Sequence, residues 1–548
     1  MLASRFHYGF DLTEEKRFTL SPATKRLLRN MDQVAVVDVY LKGKFPAGFQ
    51  RLSEASRDML VNFKEVAGKN IVFRFVDPFE GKSEEQKGAV AQDLEKKGVN
   101  WLNLQVQGTA EEGYSEKVIF PYALVRYKGR EFPVRLLENN QGMTPMEVLN
   151  YSESLLEYKF ATAINMLSQQ DRPRIAYLVG NGESLGPNTN DALRTLAMLY
   201  HLDTLDLTSV IKIDGPTMGD YQAVIINKPK VPFEDKDKYK IDQFIMRGGH
   251  VLWLVDPLDA SMDSLSSSQT FMTRDRELNL DDMLFSYGVR VNPDLIEDMD
   301  CNPIEVVVGM KGDQPQKALK DWIYFPVFTP TSKHPIVHNL DPIMGMFASS
   351  IDTIANPEIK KTILLHSSKY SRTAPNPVRV SLTMLNFPLN NRMFNKPFQS
   401  TAVLLEGKFK SIFNNRLQPA FLKVLSDSLR MPFKSSCDSA TSMIVISDGD
   451  IMENDYSARY GTMDMGFWRF TGGRFANKTF LLNCLEYLTD QSGLLEARSK
   501  DVKLRLLDNG RRKEEELKWQ LINILLPVAV IILFASVYIF FRKRRYER

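Results

Sequence analysis

The chain has little of what most catalytic or metal chemistry requires. Its three cysteines, Cys301, Cys437 and Cys484, are scattered over 548 residues. They form no C-x-x-C and no Cys/His cluster, which excludes the usual zinc, iron–sulfur and thiol-redox spacings. No G-x-x-x-x-G-K-[ST] occurs; Gly81-Lys82-Ser83 has Val76 where the first glycine of that loop would stand, so a P-loop nucleotide site is excluded. Charge of one sign is also scarce. The net charge is +3, and Arg542–Arg548 alone carries five basic residues against one acid, leaving a body near −1. A near-neutral body lacks the basic face that a nucleic-acid backbone demands. The opening MLASRFHYGFDLTEEKR has no apolar run long enough for a signal or a span, and no internal repeat is visible.

One long apolar run is present. Leu521–Phe541 reads LINILLPVAVIILFASVYIFF, 21 residues without a charge. As a helix it extends roughly 31 Å, matching the ~30 Å hydrocarbon core of a bilayer. Asn523 and Pro527 fall in its first third, where a polar side chain and a missing N–H cost least. The expected organisation is a transmembrane helix at 521–541, a charged juxtamembrane segment at 494–520 and a basic cytoplasmic tail at 542–548. Flanking charge does not fix orientation, since Asp501–Gln520 carries six Lys/Arg against the tail's five.

Ahead of the anchor the pattern is α/β. Ser21-Pro22 signals a helix start. Strands are expected at Val34–Leu41 and Ile71–Pro78, helices at Phe49–Val66 and Ser83–Lys97. Two strands, Lys117–Tyr127 and Glu131–Leu137, are joined by a hairpin at Lys128-Gly129-Arg130, and one long helix covers Met146–Ser168. The succession β-α-β-α-β-β-α predicts a thioredoxin-like domain over residues 1–170. LKGKFPAGF stands where redox cysteines would sit, so this domain reads as a scaffold. After the polar QQDRP, apolar strands at Arg174–Gly180, Ala223–Asn227 and Val251–Val255 alternate with helices, predicting a doubly wound parallel domain over 171–493. A mixed insertion spans about 259–400; its Ser/Asp-rich start, Asp259–Glu277, reads as a loop. A helix is expected around Gln418–Leu429.

Four constellations invite a chemical reading. Gly182-Glu183-Ser184-Leu185-Gly186 matches the nucleophile elbow G-x-S-x-G, but Pro187 follows it and His250, His334, His338 and His366 stand in no triad order. Gly180, Gly182 and Gly186 miss the dinucleotide fingerprint by one residue. His334 and His338 are four apart, yet Pro335 disfavours the helix a zinc pair would need. Asp448 and Asp450 follow a strand at Met443–Ser447, with Glu453 and Asp455 nearby. At the carboxyl end of a parallel strand they are a turn of solvated acids, a ligand or partner surface, or a divalent-cation site, the last without the EF-hand spacing. No metal or cofactor is expected.

Segments at both ends of the chain carry a resemblance. DLTEEKRFTLS (Asp11–Ser21), VYLKGKFPAGFQRL, FVDPFEG, ISDGDI, NKTFLLNCLEYLTD and LRLLDNGRRKEEELKWQLINILLPV are similar to segments of the GldG family, gliding-motility-associated auxiliary subunits of ABC transporters in Bacteroidetes. The resemblance implies a non-enzymatic inner-membrane protein, with its bulk in the periplasm and a second helix expected upstream of Met1. It implies a permease partner, GldF, and through it the ATPase GldA. It also implies that the middle region has a fold related to glutamine amidotransferases, shared with an intraflagellar transport protein. On this reading Leu521, Asn523, Pro527 and Phe541 dock against the permease, and Arg511, Glu515 and Trp519 transmit movement. An anchored hydrolase or amidase, and an envelope adaptor that transports nothing, remain alternatives.

Overall fold

A computed structural model describes residues 19–43, 45–107, 114–138, 144–169, 171–210, 218–428, 430–457, 461–489, 493–499 and 516–546. The chain forms two compact units, 1–501 and 502–548. Arg511 and Glu515 lie outside the described residues, as does the Asp11–Phe18 part of the opening motif.

The first unit opens with helix α1 (Pro22–Arg29), capped by Ser21 and with Pro22 at its first turn. Strand β1 (Ala35–Val39) leads through α2 (Ala47–Ala67) to β2 (Ile71–Phe75), which pairs parallel to β1. Helix α3 (Glu84–Lys96) starts in a full capping box between Ser83 and Gln86. A separate hairpin follows, β3 (Leu102–Gln107) and β4 (Tyr114–Ile119). Then β5 (Tyr122–Tyr127) and β6 (Arg130–Arg135) complete a four-stranded sheet in the order β2-β1-β5-β6. Lys128 and Gly129 both have positive φ, as a two-residue hairpin turn requires.

Two expectations are corrected here. The single strand expected at Lys117–Tyr127 is two strands in different sheets. Pro121 has no N–H to donate, and the chain turns at that point through a Tyr122 N–H bond to the Phe120 carbonyl. The long helix expected at Met146–Ser168 is broken at Leu155 into α4 (Pro145–Ser154) and α5 (Leu156–Ser168). Ser152 and Ser154 turn their hydroxyls back onto the carbonyls of Val148 and Tyr151, a competition that bends helices.

The larger sheet contains β7 (Arg174–Val179), β8 (His201–Asp206), β9 (Ala223–Asn227), β10 (His250–Leu254), β11 (Ile359–His366), β12 (Ser400–Gly407) and β13 (Thr441–Ile446). Their spatial order is β8-β7-β9-β10-β13-β12-β11. The first five are mutually parallel, and β12 and β11 extend the sheet antiparallel. Helix α6 (Asn190–Leu199) and α8 (Asn477–Thr489) cover one face, and α7 (Asp235–Met246) the other. Both faces are therefore buried, which is why β9 and β10 read as continuous apolar runs.

The insertion has its own aromatic core around Trp322, Tyr324, Phe325 and Phe347. Its first segment is more ordered than a loop. A short helix, Met262–Ser267, precedes a strand, Thr270–Met272, that pairs with Arg379–Ser381. The helix expected at Gln418–Leu429 is a single α turn, Pro419–Lys423, running into a π turn, Val424–Ser428.

The second unit contains helix α9 (Glu516–Tyr546), within which the most apolar 18-residue window of Gln520–Arg545 has a mean hydropathy of 2.8 and contains no buried residue. It is long and apolar enough to span a membrane. Leu521, Asn523 and Phe541 are exposed along it. Pro527 lies inside the helix, and the bond its missing N–H would have made is the one to the Asn523 carbonyl.

Packing around Gly249 gives a direct test of the sheet's lower edge. A Cβ there would lie 2.3 Å from the ring of the buried Phe244. Gly249→Ala is expected to cost about 1–3 kcal/mol, read as a lowered thermal unfolding midpoint in detergent; an unchanged midpoint would contradict this packing.

Candidate functional site

The parallel strands run in the order second, first, third, fourth, fifth of their chain sequence, so the topological switch point lies between β7 and β9. In open α/β sheets ligands bind at that point, outside the carboxyl ends of the strands. Here the loops after β7 and β9 are fastened to each other. The Asn181 carbonyl accepts from the N–H groups of Lys230 at 2.7 Å and Val231 at 2.9 Å. Gly182 has φ +89, and a Cβ there would lie 2.9 Å from the Lys230 stem. Gly182 thus serves close contact between the two loops, whereas a Cβ at Gly180 would meet the Asp206 side chain and one at Gly186 the Ser184 hydroxyl.

Ser184, the serine of the elbow pattern, belongs to the same closure. Its hydroxyl accepts from the Gly186 N–H at 3.2 Å, and its carbonyl accepts from the Tyr177 hydroxyl at 2.9 Å. Its bonding partners include no histidine. Neighbouring Glu183 is buried, which pushes its carboxyl up to about 7, and it accepts from the Asn181 N–H. Asn227, at the end of β9, lies fully buried beside the Tyr177 hydroxyl, and its amide atoms make no hydrogen bond.

Beside the switch point the strand ends carry a buried charge cluster. Lys228 follows β9 in the left-handed region, φ +53. Its ammonium bonds to Asp450 and lies 3.5 Å from Asp256 and 3.6 Å from Glu453. Asp256 accepts from the Gly449 N–H at 2.6 Å. Gly449 is obligatory, because a Cβ would lie 2.8 Å from Lys228 Cβ. Asp448 accepts from the Asp450 N–H at 2.9 Å and from the Met346 N–H at 2.8 Å. Gly345 leaves room for that contact; a Cβ there would lie 2.6 Å from the carboxylate.

The expectation of solvated or surface-facing acids is therefore corrected. Asp448 and Asp450 are both buried: Asp448 meets the Gly345–Met346 strap of the insertion, more than a hundred residues away in sequence, and Asp450 is held by the Lys228 ammonium. Burial raises the carboxyls of Asp448 and Asp256, and holds Asp450 at about 6. Three opposite charges hold the ammonium of Lys228 well above its usual range despite burial. Asp455 points away, toward Arg469 at 3.3 Å.

The histidines do not converge. His334 packs edge-on against Tyr487, and burial lowers its pKa. His250 faces the Ser442 carbonyl at 3.0 Å, and His366 faces the Thr331 hydroxyl at 2.8 Å.

A second constellation sits at the end of the described part of the first unit. Residues Leu494–Ser499 form a 3₁₀ turn, with Leu494 inserted into the core of the N-terminal sheet. Arg498 is buried. It donates to Asn483 of α8 at 2.9 Å and to the Tyr151 hydroxyl of α4 at 3.2 Å, and lies over the Tyr158 ring of α5. Tyr158 in turn donates to Glu486 of α8. Burial pushes Tyr151 up to about 12. A cleft of about 300 Å³ borders this seam, lined by Phe132, Met166, Tyr200 and Glu486 among others. A lone arginine five residues past a Ser-Gly pair gives no sequence signal for this role.

A three-layered α/β body whose switch-point loops are hydrogen-bonded to each other, together with a helix long and apolar enough to span a bilayer, defines a class of sheet-based α/β protein with a candidate membrane span. Residues 172–484 match the family described as an ABC-type uncharacterized transport system, and the chain belongs to that family. Residues 14–126 match a second family, described only as a domain of unknown function. No curated protein matches the chain. Among solved structures, the mmIFT52 N-terminal domain is 12% identical with a TM-score of 0.30, over 58% of this chain and 97% of that one. The exo-beta-1,4-mannosidase Op5Man5 from Opitutaceae bacterium strain TAV5 is 9% identical with a TM-score of 0.17, over 80% of this chain and 51% of that one. Likenesses this slight carry no argument.

The cluster predicts a signed pH dependence. Asp450 holds its proton up to about 6 in the folded state, against 3.8 for the unperturbed group. Its contribution favours folding below about pH 4 and is eroded as pH rises through 6. Lys228→Met removes the compensating charge and should cost about 3–5 kcal/mol at pH 8. The deficit should shrink at pH 5, where protonation neutralises the carboxyls. Thermal unfolding in detergent at both pH values checks this; equal deficits would contradict it.

Proposed function

We propose that this chain is a non-enzymatic, membrane-anchored accessory subunit of an ABC transporter, of the gliding-motility GldG type, that binds and couples to the permease. The observation that carries the reading is the family match over residues 172–484, joined to a helix able to span the bilayer. The partners proposed are a GldF-type permease and, through it, a GldA-type ATPase. The bulk is proposed to face the periplasm, with a thioredoxin-like N-terminal scaffold and an amidotransferase-like middle domain. The hydrogen-bonded loops at the switch point and the absence of a histidine among the bonding partners of Ser184 support a binding role over a hydrolytic one.

Coupling would pass from α9 through 500–515 to the Arg498 seam, which ties α4, α5 and α8 together. The exposed apolar face of α9, with Asn523 and the Pro527-freed carbonyl beside it, offers polar groups for interhelical hydrogen bonds. Purification of the tagged chain from its native membranes should recover an ABC permease and its ATPase. Asn523→Leu should reduce that recovery several-fold while the chain stays in the membrane. Arg498→Ala should retain the partners and lose transporter-dependent function. Recovery of the chain without any ABC component would overturn the reading.

A further inference from the structure

The segment between Glu358 and Glu406 runs for 47 residues without an aspartate or glutamate and contains seven lysines and arginines. Two of these are paired internally, Arg372 with Glu297 and Lys360 with Glu406. Lys369, Arg379, Arg392 and Lys396 are exposed and form no ion pair among the described residues. On the strand that pairs with Ser371–Pro375, Glu297 and Asp298 are buried and bonded inward, buried Asp294 feels the charge of Lys396, whose ammonium donates to the Thr373 hydroxyl at 3.0 Å, and Asp300, just past the strand, is exposed.

Among these cations the loop 382–398 presents apolar side chains to solvent. Phe387 is 73% exposed, Phe398 56%, Met393 54% and Leu389 40%. The loop is nonetheless fixed. Phe394 is buried beneath it and stacks against the Arg372 guanidinium, and the Asn390 side chain accepts from the Arg392 N–H at 3.0 Å. Phe398 has φ +57, a conformation costly for a bulky residue. Its N–H is bonded to the Ser368 carbonyl and its ring rests at His366. Apolar groups held outward by a built loop, among unpaired cations, mark an interaction surface.

We propose that this loop is a second membrane contact, in which Phe387, Leu389 and Met393 enter the headgroup region of an anionic bilayer and Arg392 and Lys396 meet lipid phosphates. Charge decides the occupant. Aromatic and long apolar tips ringed by basic residues are the side-chain set that seats in an anionic interface, and each cation near such a surface strengthens attachment roughly fivefold. The chain also carries a helix long and apolar enough to span a bilayer, α9. The inference rests on that span and not on the transporter assignment.

The test uses the full chain reconstituted in vesicles of phosphatidylcholine with or without phosphatidylglycerol. Phe387→Cys is labelled with an environment-sensitive dye, and Met198→Cys, exposed elsewhere on the body, serves as reference. The native thiols label poorly: Cys484 and Cys437 are buried, Cys301 is half-buried, and the thiols of Cys301 and Cys437 are pushed up to about 12 and about 11 by desolvation. The Phe387 label should shift to the blue and be quenched by nitroxide lipids in the anionic vesicles, and the Met198 label should not. Arg392→Glu with Lys396→Glu should reduce that quenching more than tenfold. Equal, aqueous emission from both labels in both compositions would overturn the proposal. So would a Phe387 label that becomes shielded only when a purified protein partner is added.

Discussion

The ion cluster around Lys228 is the constraint on which the body of this protein depends. A buried ammonium with Asp450, Asp256 and Glu453 around it ties together the carboxyl ends of β9, β10 and β13. Removing one partner from such a cluster leaves uncompensated charge in a low-dielectric interior, which costs far more than a surface pair contributes. The cluster also dictates local sequence. Gly449 must lack a side chain for the Lys228 stem to pass, and Gly345 must lack one for the strap to reach Asp448. The insertion is thereby pinned over the sheet end where related architectures hold small molecules.

That closure reframes what an open α/β sheet does in this chain. The Gly180–Gly186 loop has the composition of a ligand loop, but its backbone is committed to Lys230 and Val231. The sheet then acts as a rigid body that presents surfaces. Two of those surfaces matter for an anchored accessory protein. One is the Arg498 seam, where a single buried guanidinium touches three helices just before the chain leaves for the anchor. The other is the basic, aromatic loop at 382–398. Fold alone assigns no function, so these surfaces and the membership of an ABC-type transport family carry the account.

Sequence patterning revealed the elements better than the site. The apolar runs of β7, β9 and β10, the Ser21 cap and the 521–541 run are legible because they are local: alternation, capping and length need only neighbours. Pro121 and the serines of α4 show where local signals were present but underweighted. The Lys228–Asp450 pair joins residues 222 apart in sequence, and Asp448 meets Met346 across 102. No window contains both partners of either contact. Acids after a strand ordinarily face water, and only the strap from the insertion makes them buried here. The Asn-Lys-Pro that ends β9 was the available hint, a lysine placed directly after a fully buried strand.

The central claim is that the anchor's motion reaches the body through the seam. Hydrogen–deuterium exchange of the complex, compared with and without ATP, addresses it most directly. The account predicts that peptides covering α4, the start of α5 and residues 483–499 change exchange with nucleotide while β9, β10 and β13 do not. Seam peptides that exchange identically in both states, with the partners still bound, would contradict it.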